Sequence, residues 1–325
     1  MILAGDVGGT KTLLGLFERA QPRPVQRHLF RYSTTDFSTF GDQLDALARD
    51  AGGMPPLDAL ALGVAGPVVG RVARLTNHPW VVDADKIAAR TGAPVALLND
   101  LEAMAYSLDV LTPDEQVVLQ AGVPQPDGHA ALVAAGTGLG EAALHRVGTR
   151  LVPAPSEAGH ADFAARSERE WGLAQMLTRL YGRATVEYVL SGPGLVNLHR
   201  FTHDGGGCPA VDGVAQSGQP AAITAAAIEG RCARCVESLT MFISIYGAEA
   251  GNLALRTLAT AGLYVGGGIV RHILPAIQRD DTFMRAFLAK PPMDALLERI
   301  PVKLILNAET GILGAAVHAQ SLTRG

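Results

Sequence analysis

Cysteine is scarce in this chain: Cys208, Cys232 and Cys235 are the only three in 325 residues. That is too few for a disulfide framework and points to a reducing, cytoplasmic setting. Long apolar runs are missing as well. The best candidate, 257–270, is shorter than the roughly 20 residues of a spanning helix and contains Gly262, Gly266, Gly267 and Gly268. The opening MILAGD has no basic region ahead of an apolar run, so neither a signal peptide nor a membrane partner is expected. Basic charge is not in excess: 27 Lys and Arg against 31 Asp and Glu leave a net charge of −4, without a Lys/Arg cluster. A nucleic-acid partner is therefore not expected.

The residues that are plentiful describe a globular protein. Apolar residues make up 48% of the chain, which excludes disorder, and its 37 glycines and 19 prolines follow no period, which excludes a collagen-like chain. At about 150 residues per domain, the length implies two domains. The first residues read as a hairpin: a strand over Met1 to Gly5, a break at Asp6-Val7-Gly8-Gly9-Thr10-Lys11, and a second strand over Thr12 to Phe17. A strand near Val25 to Tyr32 comes next. Phe40 to Ala51 has helical spacing, with Leu44, Leu47 and Ala48 on one face. Leu57 to Val64 and Pro94 to Leu98 read as buried strands, separated by a helix opened by Asp83 and stopped by Gly92.

The same order then recurs in outline. Ala130 to Ala135 is a strand, Gly136-Thr137-Gly138-Leu139-Gly140 a turn, and Glu141 to Arg146 a returning strand. Ser167 to Leu190 reads as two helices broken near Gly182, and 203–220 as a surface loop. Ile223 to Thr260 is a long helical stretch with Gly230, Gly247 and Gly251 as candidate breaks. A strand over 262–265, the turn Gly266-Gly267-Gly268, a helix, the strand Val302 to Leu306 and a last helix complete an α/β pattern.

The three glycine turns carry the main chemical signal. Glycine lets successive backbone N–H groups approach a ligand, and such a nest favours phosphate. The P-loop motif is absent, because Thr10 precedes Lys11, and Gly136-x-Gly138-x-Gly140 has the wrong third step for a dinucleotide fingerprint. Plain hairpins and a nucleotide site both remain open on this signal. Asp6 and Asp100 each follow an apolar strand, where ligands gather in α/β sheets but where turns and helix caps also place aspartate. Glu187 reads as a solvated helix charge. Cys232-x-x-Cys235 has no second pair and reads as buried or half-buried thiols.

Six segments occur in order: Asp6 to Thr12, Leu98-Asn99-Asp100, Gly136 to Gly140, Glu157-Ala158-Gly159-His160-Ala161-Asp162-Phe163, Leu190 to Leu195 and Val265 to Ile269. Together they resemble the bacterial glucokinase family, the ATP-dependent branch of the hexokinase/actin-like ATPase superfamily, over nearly the whole chain. The resemblance implies a two-domain α/β fold of the actin-like ATPase (ribonuclease H-like) type with its active site in the interdomain cleft. The small domain would take residues 1–110 plus 301–325, and the large domain 111–300. The implied activity is transfer of the γ-phosphoryl of ATP to the 6-hydroxyl of D-glucose, giving glucose 6-phosphate and ADP for glycolysis.

By the same resemblance Asp100 is the catalytic base, and Asn99, Glu157, His160 and Glu187 hold the sugar. Asp6, Gly8, Gly9, Thr10, Lys11, Thr137 and Gly138 meet the phosphates, and Gly267 and Gly268 the adenosine end. Asp6 would meet Mg²⁺ through water. The implied partners are glucose and ATP, and the implied assembly is a cytoplasmic homodimer.

Two departures and two alternatives accompany this reading. The related repressor/kinase family carries a cysteine-rich zinc cluster shortly after a Gly-His, but Ala161-Asp162-Phe163 comes after Gly159-His160 here, so no zinc is expected. Ala158 stands where the glucokinase family commonly has glycine. A kinase for another hexose or an amino sugar remains open. A sugar-sensing regulator on the same fold would carry a DNA-binding helix pair ahead of the first turn, for which Asp6 leaves no room.

Overall fold

The computed structural model describes residues 1–76, 78–148 and 150–323. The chain forms two compact units. One comprises Met1–Thr112, Leu151–Pro155 and Asn307–Gly325; the other comprises Pro113–Arg150 and Ser156–Leu306.

The first unit contains β1 (Ile2–Val7), β2 (Lys11–Glu18), β3 (Val25–Ser33), β4 (Ala59–Val64), three short strands β5 (Val68–Val69), β6 (Val72–Arg74) and β7 (Val81–Asp83), and β8 (Val95–Asn99). Its main sheet has the order β3-β2-β1-β4-β8, with β5-β6-β7 as a small sheet of their own. The hairpin read from the first glycine break is present: β1 and β2 are antiparallel, pairing Val7 with Thr12. β1 and β4 are parallel, as are β4 and β8. Every residue of β4 is buried, as expected where both faces of a parallel sheet are covered. The helices Phe40–Asp50 and Ala84–Thr91 lie where the sequence puts them. Asp83 caps the second by accepting from the Asp85 and Lys86 N–H groups. The helix Thr310–Leu322 packs Ile312, Ala315, Ala316 and Ala319 against Ile2, Ala4, Ala59 and Ala61 of β1 and β4.

The remaining strands are β9 (Gln116–Gln120), β10 (Ala130–Ala135), β11 (Leu139–Val147), β12 (Arg150–Ser156), β13 (Gly262–Gly266) and β14 (Val302–Ile305). The second unit's sheet includes the run β11-β10-β13-β14-β9. β10 and β11 are antiparallel, whereas β10, β13 and β14 run parallel. This repeats the first unit's arrangement: a hairpin, then two parallel neighbours. Because β14 pairs with β13, the segment 302–305 belongs to the second sheet. The first unit resumes only at Asn307, later than the residue 301 expected from sequence.

Two helical readings need correction, and a further helix was not read at all. Ser167 to Leu190 holds one helix, Glu168–Tyr181, ended by Gly182 at φ 82°; residues 183–190 form bends and turns rather than a second helix. In 223–260 the break falls at Gly230, between helices Gln219–Ile228 and Ala233–Thr257. Gly247 and Gly251 do not interrupt the second of these. They serve close packing: a Cβ would stand 2.1 Å from the Phe283 carbonyl oxygen at Gly247 and 2.6 Å from that of Phe287 at Gly251. The helix Asp100–Tyr106 has no separate signal in the sequence, because the strand before it masks its start. Among the described residues no helix is long and apolar enough to cross a membrane.

Candidate active site

The first unit gathers Asp6, Gly8, Gly9, Thr10, Lys11, Asn99 and Asp100. Asp6 lies near the carboxyl end of β1, and the Gly8–Thr10 turn carries the chain into β2. The turn is fixed from behind. The Gly8 N–H donates to the Lys11 carbonyl at 3.0 Å, the Thr34 hydroxyl donates to the Gly8 carbonyl at 2.7 Å, and the Thr34 N–H donates to the Thr10 carbonyl at 2.9 Å. Thr34 and Thr12, both fully buried, also share a hydroxyl hydrogen bond of 2.9 Å. With these partners satisfied from below, the side chains of Thr10 and Lys11 stay exposed.

Asn99 ends β8 and caps the helix Asp100–Tyr106. Its Oδ1 accepts the Leu101 N–H at 2.9 Å, and Glu102 reaches back to the Asn99 N–H at 3.3 Å, closing a capping box. Asp100 is the first helical residue. Its carboxylate is exposed, with Oδ1 accepting from the Leu101 N–H at 2.9 Å. Both carboxylates thus sit at the carboxyl ends of parallel strands. They also sense each other: burial first, and then repulsion from Asp100, push the Asp6 carboxyl up to about 6, with Lys11 opposing.

The second unit gathers Thr137, Gly138, Glu157, His160, Glu187, Gly267 and Gly268. The Gly136 N–H donates to the Gly138 carbonyl at 2.8 Å across the turn between β10 and β11, leaving Thr137 exposed at its tip. Glu187 is bound to this turn, because its Oε2 accepts the Leu139 N–H at 2.9 Å. His160 stands between two carboxylates, with Nδ1 3.8 Å from Glu187 Oε1 and Nε2 4.0 Å from Glu157 Oε2. Backbone hydrogen bonds hold the three together: the Glu187 N–H donates to Gly159 O at 2.8 Å, and the His160 N–H to Glu157 O at 3.0 Å. A carboxylate–imidazole–carboxylate row of this kind offers both donors and acceptors to a polyol.

Glu187 is also where the sequence signal is weakest. Ser191 anchors it from the next helix: its hydroxyl donates to the Glu187 carbonyl at 2.8 Å and caps the helix Gly192–Thr202 by accepting the Gly194 N–H at 2.9 Å. Gly267 takes φ 89°, and a Cβ there would lie 2.1 Å from the Ala135 carbonyl oxygen, so only glycine lets β13 turn this close to β10.

Tyr246 escaped sequence reasoning. It is fully buried, accepts the Ala135 N–H at 3.1 Å and donates to the Gly266 carbonyl at 3.1 Å, tying together the ends of β10 and β13 from which two glycine turns spring. A helical tyrosine carries no local sign of that role. The second unit also holds a cluster of soft metal donors: His199, His203, Cys208 and Cys235 each offer an atom within 4.8 Å of the others. Cys232-x-x-Cys235 therefore does not stand without further donors, as its sequence suggested. The other donors arrive from 24 or more residues away in the chain.

The family model described as Glucokinase matches residues 3–322. A glucokinase from Nostoc sp. is 37% identical over 99% of this chain and 99% of its own. Among solved structures, a glucokinase from an Antarctic psychrotroph is similar with a TM-score of 0.85 at 26% identity, covering 98% of both chains. The glucokinase of Balamuthia mandrillaris, solved in complex with glucose, shares the fold with a TM-score of 0.78 at 19% identity, over 98% of this chain and 93% of its own.

Proposed function

The chain belongs to the glucokinase family, and on that premise we propose that it moves the γ-phosphoryl of ATP to the 6-hydroxyl of D-glucose, through the residues gathered in each unit. It is an ATP-dependent hexose kinase with the actin-like ATPase fold of its structural neighbours. The observation that carries the activity is the match over residues 3–322, with relatives of the same function at similar length.

Phosphoryl transfer is mainly a problem of positioning and of neutralising charge. Asp100 accepts the proton of the 6-hydroxyl as that oxygen attacks the γ-phosphorus and the bond to the ADP oxygen breaks. Its Leu101 hydrogen bond at 2.9 Å fixes the direction of the carboxylate. Asn99, Glu157, His160 and Glu187 hold the sugar hydroxyls. The Gly8–Lys11 and Thr137–Gly138 turns meet the phosphates with backbone N–H groups, which suits a protein of net charge −4. Gly267 and Gly268 meet the adenosine end.

Asp6 and Asp100 repel one another, and a divalent cation relieves that repulsion, so this donor set fits Mg²⁺ with Asp6 as its partner through water. When bound, the ion neutralises phosphate charge. A homodimer in the cytoplasm, feeding glucose 6-phosphate to glycolysis, completes the reading.

The test is an ADP-release assay with ATP and Mg²⁺ across glucose, other hexoses and amino sugars. Turnover is expected to be fastest, in kcat/KM, with glucose. Absence of glucose-dependent ADP release would overturn the reading, and a faster amino sugar would change the substrate.

A further inference from the structure

We propose that the second unit holds a structural zinc ion, bound by the thiolates of Cys208, Cys232 and Cys235 and by Nε2 of His203. These residues come from three places in the chain. His203 follows the helix Gly192–Thr202, Cys208 lies in the irregular stretch after it, and Cys232 and Cys235 open the helix Ala233–Thr257. The structure nevertheless brings their donor atoms into one group.

Three of the six distances within that group have the length that a tetrahedral ion requires. Zn–S bonds of about 2.3 Å and Zn–N bonds of about 2.0 Å at tetrahedral angles set neighbouring sulfurs about 3.8 Å apart, and sulfur and nitrogen about 3.5 Å apart. Here Cys208 Sγ lies 3.7 Å from Cys235 Sγ and 3.9 Å from Cys232 Sγ, and Cys232 Sγ lies 3.4 Å from His203 Nε2. A disulfide would need about 2.05 Å and would leave the third thiol over.

The surroundings also suit a metal ligand. The Nδ1 of His203 lies 2.9 Å from the His199 carbonyl oxygen. Donation to that oxygen puts the ring hydrogen on Nδ1 and leaves the Nε2 lone pair facing the thiols, the usual support for a metal-bound histidine. Arg234 donates to the His203 carbonyl at 3.0 Å. Cys208 is only 1% exposed although its segment, 204–218, has little regular structure. The N–H groups of Val211 and Asp212 donate to its carbonyl at 2.8 Å, and its own N–H donates to Asp212 Oδ1 at 3.1 Å. An ion would pin this segment to the start of the long helix. Sulfur-rich tetrahedral sites with one imidazole select zinc among the common divalent ions.

His199 is the competing fourth ligand. Its ring stacks on His203 with centroids 3.9 Å apart, and its Nε2 is buried without a hydrogen-bond partner among the described residues. A tetrahedral ion cannot take both His199 and Cys232, and the two distances from Cys232 match tetrahedral edges, so Cys232 is assigned. None of these residues belongs to the Gly159-His160 segment, which is why the sequence predicted no zinc.

The test counts zinc in the full-length protein, produced in zinc-supplemented medium and desalted, by elemental mass spectrometry. About one zinc per chain is expected. Cys208→Ser, Cys235→Ser and Cys232→Ser should each weaken binding at least about tenfold, while His199→Ala retains the ion. Cobalt replacement of the wild-type ion should give thiolate charge-transfer absorption and the intense visible bands of tetrahedral cobalt, a readout that needs no variant to fold. Wild-type protein that is folded yet holds less than about one-tenth of an equivalent would overturn the site. So would cysteine variants that keep their zinc, cobalt bands without thiolate charge transfer, or loss of zinc in His199→Ala with retention in Cys232→Ser.

Discussion

At the scale of single residues, the two carboxylates at strand ends make the sharpest predictions. Asp100→Asn keeps the shape and hydrogen-bonding size of the side chain but removes the proposed base, so glucose binding should be kept while kcat falls by about 10²- to 10⁴-fold. Steady-state kinetics and glucose calorimetry on the same variant check both halves. The substitution also removes a like charge from Asp6, whose carboxyl is held up to about 6, above its ordinary 3.8. A raised folded value means that the folded state binds the proton more tightly, so this group costs stability as pH rises from 3.8 toward 6. In Asp100→Asn the Asp6 titration should move down, and carboxyl-carbon NMR would follow it; an unmoved titration would break the coupling. The position of both aspartates at strand ends was legible because an apolar strand ending in a carboxylate is a pattern in the chain itself. Glu187 and Tyr246 were not, since their roles come from what they touch: the Leu139 N–H for one, and the ends of β10 and β13 for the other.

At the scale of elements, close packing seats the helix that begins at Asp100. Gly314, in the helix Thr310–Leu322, faces the helix Asp100–Tyr106, and a Cβ there would lie 1.7 Å from the Ala103 carbonyl oxygen. Backbone cannot yield as a side-chain tip does. Gly314→Ala should therefore push the two helices apart, cost about 3 kcal/mol or more, and lower kcat by displacing Asp100. Gly41→Ala is the control: its Cβ would meet only the end of Arg90 at 3.3 Å and Thr39 Oγ1 at 3.4 Å, so stability should stay within about 1 kcal/mol. Urea unfolding of both variants decides. The same physics explains the misread helices. Gly247 and Gly251 look like breakers in sequence, whereas tertiary packing uses their missing side chains and keeps the helix whole. Gly182 and Gly230 end helices at positive φ, as such residues do locally.

At the scale of the whole molecule, the first unit is assembled from distant stretches, Met1–Thr112 and Leu151–Pro155 with Asn307–Gly325. Ending the chain after Leu306 would strip β1 and β4 of the helix that buries Ile2, Ala4, Ala59 and Ala61. Such a truncated chain should be expressed but aggregate or bind a hydrophobic dye, and a monodisperse, cooperatively unfolding product would refute this account.

The paired hairpins, the buried strands, the glycine turns and the acidic, α/β character were all readable from local pattern, because alternation, apolar runs and turn residues act over a few neighbours. Which distant residues meet is a different matter. The placement of β14 in the second sheet, the seat of Glu187 on a glycine turn and the convergence of His203, Cys208, Cys232 and Cys235 each depend on contacts between segments far apart in the chain. No local periodicity encodes them; they exist only once the cores have packed.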